Sequence, residues 1–402
     1  PLYGALGIDK LAVSRPGVSL IAKGRVDMLR KGLGIDLSLS GAGASADDLK
    51  RLWPYFLAPG AREWFVKNVE TGKVDTASMR FSFPVGTLGV GGEDKPIPQN
   101  GMRIDLEGSD VRFVPMEGMK PVDVSGHTRV KVRDNNLTVS FDGATIRNPS
   151  GDVKVANAAF VIDNTAAKPL TFELSGDVTG DLPALVDMTG TGPGKLRLPS
   201  DIVTSVPIKG LSGDVKVSVV STITIGADSK LDRMDYALNG TVRNFSSKTP
   251  IGDHAIKDGA MSFTASQAGY RVTGQANVDG IAADIVLESA PDADPTVLMS
   301  STVDVKELKS MGFDAGEFLT GSVRFVARPM ADDSLQIAID LKNADLVIKD
   351  LGISKPAGIA GTLEAEIRQE GHRYEVSHIR LGFGDVHLAG SLGFDDDKGL
   401  ES

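Results

Sequence analysis

The sequence contains no cysteine. That excludes disulfides, thiolate metal sites and cysteine nucleophiles together, and it suits a protein of the oxidising cell envelope that avoids stray pairing. No run approaches the roughly 18 apolar residues of a membrane-spanning helix. The chain opens at Pro1 directly into strand-like text, so it is expected to be a piece of a longer protein. Lysine and arginine nowhere cluster, and 53 acidic residues against 43 basic ones give a net charge of −10. A phosphate-backbone binder would show a basic face, so nucleic acid is excluded as a partner. The same balance opposes electrostatic adsorption to anionic lipid and leaves apolar lipid contact open.

Catalytic signatures are missing as well. No Gly-x-Ser-x-Gly elbow, phosphate loop or dinucleotide fingerprint occurs. The Gly-rich stretch from Gly86 to Gly92 is followed by Pro96 and Pro98, where a nucleotide site would need a helix. The five histidines, His127, His254, His372, His378 and His387, lack the spacing of a zinc helix. His378 and His387 could approach across a hairpin, although a polar outward face explains them more simply. Carboxylates gather at turns and at Asp395-Asp396-Asp397, where solvation is their ordinary role, and no loop has the dense pattern of a calcium site. The expectation is a non-enzymatic chain with no catalytic residues, no metal and no cofactor.

What is present is alternation. Aromatic residues make up 5% of the chain, whereas glycine numbers 46, scattered between short apolar runs. Many turns imply many strands, about twenty by eye. Leu137, Val139 and Phe141 form one apolar series, and Leu170, Phe172 and Leu174 a second. Val215, Val217 and Val219 continue into Ile223 and Ile225, and Leu335, Ile337, Ile339 and Leu341 complete the set. Each series has the period of two that gives a strand one apolar and one polar face. Asn100-Gly101, Asp142-Gly143, Asn239-Gly240, Asp258-Gly259 and Asp279-Gly280 predict tight hairpins between antiparallel neighbours.

Helical text is sparse. Ser45 is an N-cap candidate, with Asp47 and Asp48 in the first turn. Leu49, Leu52, Trp53, Phe56 and Leu57 then follow a helical stripe, which Pro54 should kink. A second helix is predicted from Ala61 through Trp64 to a stop at Gly72. Similar punctuation returns at Leu182 and Leu308, spaced from Leu49 by 133 (182−49) and then 126 residues (308−182). Such a long-period repeat marks a stacked array. Its segments are 1–44, a partial β repeat; 45–180, a helix pair plus β repeat; 181–303, a short helix plus β repeat; and 304–402, a short helix plus partial β repeat.

The predicted fold is mostly β: a long, curved, largely antiparallel, repeat-built sheet with a few short helical insertions. Its apolar face must meet a second sheet, helices or a ligand. A closed sandwich and an open groove filled by acyl chains both satisfy that demand, because each buried methylene gains roughly 0.8 kcal/mol. The fifteen alternating residues above are the candidate groove lining. On the groove reading, Val217→Asp or Ile339→Asp should leave the sheet folded and block lipid passage.

The segment from Leu52 to Val74, with Trp53-Pro54, Trp64 and the strand start Gly72-Lys73-Val74, resembles the AsmA-like bridge-type lipid-transfer family of the Gram-negative envelope. The resemblance is nearest to its YhdP-like branch, with TamB more distant. It implies a periplasmic β groove held to the inner membrane by an anchor outside this fragment, along which phospholipids move toward the outer membrane without turnover. Implied partners are phospholipid acyl chains and outer-membrane or envelope proteins. It supplies no catalytic residues. The other readings are a non-conducting envelope scaffold supporting outer-membrane biogenesis and a carbohydrate-active β-solenoid enzyme.

Overall fold

The computed structural model describes residues 4–53, 55, 58–88, 96–189, 210–226, 230–248, 255–291, 293, 295–308, 316–330, 334–370, 373–395 and 399–401. They form two compact units, 1–200 with 214–240 and 201–213 with 241–402. The chain is mostly β, antiparallel and not closed.

In the first unit, β1 (Gly4–Arg15), β2 (Val18–Leu29) and β3 (Gly32–Ala42) lead to α1 (Ala46–Leu52) and α2 (Pro59–Asn68). Then follow β4 (Val69–Leu88), β5 (Met102–Phe113), β6 (Val122–Arg133), β7 (Asn136–Ile146), β8 (Val153–Ile162), β9 (Leu170–Asp181) and α3 (Leu182–Thr189). The residues of β10 (Leu211–Ile225) and β11 (Leu231–Ser247) are shared between the units. From β1 to β10 each strand pairs antiparallel with the next. The sheet is open, since among the described residues β1 pairs with β2 alone.

The second unit continues with β12 (Ile256–Ser266), β13 (Gly269–Val278), β14 (Ile281–Ser289), β15 (Thr296–Asp304), α4 (Val305–Leu308), β16 (Leu319–Pro329) and β17 (Leu335–Asp340). A small hairpin, β18 (Ala344–Ile348) and β19 (Ile353–Lys355), precedes β20 (Gly361–Glu370), β21 (Arg373–Phe383), β22 (Val386–Asp395) and β23 (Gly399–Glu401). The hairpin is an insertion: β17 pairs directly with β20, while β18 pairs with the first residues of β16.

Local chemistry explains the helices. Ser45 Oγ accepts from Asp48 N at 3.1 Å, and Asp48 Oδ2 accepts from Ser45 N at 2.9 Å, a reciprocal capping box. Pro59 begins α2, where its missing N–H costs nothing. The predicted stop at Gly72 is corrected: α2 ends at Asn68, and β-branched Val69 is already extended and opposite Phe113. Pro54, Phe56 and Leu57 lie outside the described residues. The helical insertions follow β3, β9 and β15, a six-strand interval.

Two of the five predicted hairpin signals sit between strands, Asn100-Gly101 ahead of β5 and Asp279-Gly280 between β13 and β14. The other three are corrections. Asp142-Gly143, Asn239-Gly240 and Asp258-Gly259 lie inside β7, β11 and β12. At Asp258 the backbone has φ 53° beside a register shift between Lys257 and Ala260, so the residue forms a β-bulge. A bulge can use the same left-handed backbone as a tight turn, as Asp258 does here, so the dipeptide serves either.

Such interruptions recur. Asp110, Asn157 and His378 have φ of 54°, 52° and 52° beside register shifts in β5, β8 and β21. Each adds a residue to its strand, bends it and increases its twist. Gly24 marks another, with φ +141° and a register shift toward β1; a Cβ there would lie 1.9 Å from Asp36 O. Gly24→Ala is therefore expected to lower stability by about 1–3 kcal/mol. Gly7→Ala, where a Cβ meets nothing within 4 Å, should change it by less than about 0.5 kcal/mol. Urea denaturation of both variants checks this, and equal midpoints would remove the close-approach argument.

Candidate functional site: a register-linked apolar face

Residues directly opposite in adjacent strands share a face of the sheet, so the register traces what each face presents. One row in the first unit runs Leu11, Ala22, Leu39, Met79, Ile104, Val132, Leu137 and Ile162, each opposite the next. Beside it run Val13, Leu20, Gly41, Ala77, Leu106, Val130, Val139, Phe160 and Leu174. Two residues along, Phe172 faces Ile223 and Leu170 faces Ile225. Toward the other end of these strands Val155 faces Val178, which faces Val217, while Val219 and Val215 lie opposite Gly176 and Gly180.

Eleven of the fifteen predicted lining residues thus fall on one continuous face in the first unit. Phe141 belongs to it opposite Ala158. Val215 is buried, Leu174 is exposed and the other nine are half-buried. Exposure rises toward β1, where Leu6, Leu11 and Val13 are 54%, 52% and 56% exposed.

Bulges keep this face apolar. Leu106 and Phe113 share it although seven residues separate them (113−106), because Asp110 inserts an extra residue. Phe160 and Val155 are five apart (160−155) and share it through the bulge at Asn157. Strict alternation overlooked Phe113 and Val155 for that reason, and Val178 because Gly176 interrupts the apolar series that leads to it. A readable signal was the isolated Asp or Asn at each break.

The helix pair closes on one end of these strands. Trp53 packs tilted against Phe65 with ring centroids 5.7 Å apart, and Trp64 lies 6.2 Å from Phe113, which meets Phe141 edge-on at 6.4 Å. Trp64 Nε1 donates to Pro115 O at 3.1 Å. An aromatic chain therefore joins α2 to the apolar face. A depression of about 320 Å³ beside it is lined by Glu63, Trp64, Lys67, Asn68, Pro115 and Met116 among others.

The remaining four candidates belong to the second unit, where the face meets protein. Leu341 is 1% exposed in a core cluster with Val323, Phe325, Leu346, Leu381 and Phe383, and Leu335, Ile337 and Ile339 pack against that cluster. Lys355, at the end of β19 and unremarkable in the sequence, is fully buried. Its Nζ donates to Leu341 O at 2.6 Å, Ala344 O at 2.8 Å and Pro356 O at 3.3 Å. Burial lowers its pKa from the ordinary lysine value, against the opposing pull of Asp345 and Asp340.

The histidines are not brought together. His387 faces Gly382, while His378 occupies the bulge between Val376 and Ile379 with Glu366 at 3.3 Å, so the two do not pair across the hairpin. His254 and His372 lie outside the described residues. Among the described residues, no group of three or more His, Asp or Glu is placed to hold a metal.

The opposite face carries the charge. Arg112 bridges Glu70 at 2.8 Å and Asp123 at 2.6 Å, Arg147 also reaches Asp123, and Arg129 pairs with Asp142 at 2.7 Å. Arg133 and Arg103 flank Asp105. Hydrogen bonds from Arg133 hold the Asp105 carboxyl below its usual range, and those from Arg129 do the same for Asp142. No protein-family model, curated protein or solved structure matches the chain.

Depressed carboxylate pKa values stabilise the fold above the unfolded-state value, and that contribution is lost as pH falls through the lower folded value. Urea midpoints should therefore drop below about pH 4. The drop should be smaller in a variant carrying Asp105→Asn and Asp142→Asn. Parallel pH profiles for the variant and the unaltered chain would show that these pairs contribute nothing.

Proposed function

We propose that this chain is a segment of a periplasmic lipid-transfer bridge of the AsmA-like type, conducting phospholipids between the inner and outer membranes. The observation that carries the reading is the series of apolar rows across β1 to β10, ending in side chains more than half exposed. An acyl chain lying along these rows replaces water over Leu, Val and Ile, at roughly 25 cal/mol per Å² of apolar surface covered. The headgroup stays in water at the rim. No nucleotide-hydrolysing motif is present in the sequence, so movement along the face is diffusive. The resemblance of the Leu52–Val74 segment supports the same reading and its inner-membrane tether.

A second reading, a non-conducting envelope scaffold, draws on the second unit, where the apolar face is a protein core. Lipid extraction and native mass spectrometry of the purified chain separate the two. Co-purified phospholipid is expected, and its absence together with absent lipid photocrosslinks from position 217 would sink the conduit.

Val217 and Ile339 are both half-buried, but Ile339 packs against the buried cluster of the second unit, which refines the mutational expectation. Val217→Asp should keep the fold and lose lipid transfer between vesicles. Ile339→Asp places a carboxylate against the buried cluster and should cost roughly 2–3 kcal/mol. Denaturation midpoints measured alongside transfer rates check both; Val217→Asp that transfers lipid normally would remove this position from the path.

A further inference from the structure

The Ala344–Lys355 hairpin is not needed for the ladder into which it is inserted. Leu341 N already donates to Gly361 O at 2.8 Å, and Asp340 faces Thr362, so β17 and β20 meet without it. Its own backbone attachment is slight. Among the described residues Ala344, Asp345 and Leu346 pair with β16, supplemented by Val347 N donating to Phe318 O, Ser322 N to Asn343 O and Gly358 N to Lys342 O. Its inner side chains do more. Ala344 and Leu346 are buried in the cluster that holds Phe325, Leu381 and Phe383, and Ile348 and Ile353 pack against it. Phe325, Ile339, Leu363, Leu381 and Leu388 lie opposite one another in successive strands, one row of the sheet's apolar face. The hairpin thus lays aliphatic side chains on the kind of row that ends exposed at Leu11 and Val13 of β1.

Lys355 fastens it. The ammonium sits on the inner side of β19 opposite Leu346 and spends its three donors on three backbone carbonyls. Two of them, Leu341 and Ala344, lie where the chain leaves the ladder for the hairpin. The bond to Ala344 O ties β19 to β18 within the hairpin, whereas the bond to Leu341 O ties the hairpin to the end of the ladder. Displacing the hairpin would break that charge-assisted bond and leave the Leu341 carbonyl without its lysine donor.

Resting on the conduit reading, we propose that this hairpin is a latched stopper: it occupies the apolar face of the second unit where an acyl chain would lie, and Lys355 holds it there. Phospholipid then reaches the rows of the first unit and is kept from the row containing Phe325.

The test uses the full chain with benzoylphenylalanine at Phe172 or at Phe325, irradiated with vesicles of phosphatidylethanolamine and phosphatidylglycerol. Label is expected from position 172, and at most about one tenth as much from position 325, the share left by a minor displaced state. Two variants release the stopper: Lys355→Met, and a chain in which residues 342–360 are replaced by an Asn-Gly turn. In both, label at 325 should rise toward that at 172 while label at 172 stays constant. Hydrogen-exchange protection of β14 to β16 is the check that the second unit remains folded. Equal label at 172 and 325 in the unaltered chain would overturn the stopper. So would unchanged, low label at 325 in either folded variant. Absent label at 172 overturns the conduit reading instead, and the stopper with it.

Discussion

The structure depends on the phase of its strands. A β-strand alternates its side chains with a period of two, so one unpaired extra residue moves every later apolar side chain to the wrong face. Strands of ten to twenty residues that bend must carry such extra residues, and here the sequence shifts phase where the backbone does. Val153 and Val155 precede the bulge at Asn157 and Ala158, Phe160 and Ile162 follow it, yet all five share one face. On the neighbouring strand Leu137, Val139 and Phe141 change step to Ala144 and Ile146 at the same place. The rows stay unbroken because backbone irregularity and hydrophobic pattern are matched strand by strand.

That matching sets how much was legible in the sequence. Alternation within a strand is local, and it identified the fold class and one set of faces, as at Leu170, Phe172 and Leu174. It could not tell a bulge from a hairpin, since Asp258-Gly259 and Asp279-Gly280 supply the same positive φ to different structures. Nor could it tell an open row from a covered one. Val217 and Ile339 read alike in sequence and are both half-buried, and the long-range packing of Ile339 against a buried cluster that includes Ala344 and Leu346 of the β18–β19 hairpin separates them. Lys355 was invisible for the same reason. A lone lysine after Ile353-Ser354 has the ordinary look of a solvated residue, and its burial depends on carbonyls up to fourteen residues earlier in the chain.

The insertions share a topological rule. The helix pair, α3 and α4 all leave the sheet after an odd-numbered strand and return as an even-numbered one, and the small hairpin leaves after β17. In a meander, strand parity fixes direction, so within each unit the insertions emerge from the same strand end. The opposite connections include tight turns, such as those after β2, β6 and β12. Insertions can cover the rows from one rim only. In the first unit they do so through Trp64 and Phe113, and in the second through Val305, Leu346 and Ile353.

The chemistry of the two faces limits what can cover the rest. A second sheet cannot stack on the face carrying Arg112, Asp123, Arg129 and Asp142 without desolvating its ion pairs, a cost that mutual attraction rarely repays. The apolar rows have no such barrier, but they offer little to a specific ligand. Such a ligand needs concavity and a few convergent polar groups. The depressions lined by Trp64 and Pro115 and by Lys248 and Lys257 lie instead at a helix and among serine and lysine side chains. Rows of Ala, Val, Leu and Ile with glycines between them present length without shape. A flexible hydrocarbon chain requires no more than that, and on the proposed conduit reading it would slide from one row to the next because every position along it would make nearly the same contact.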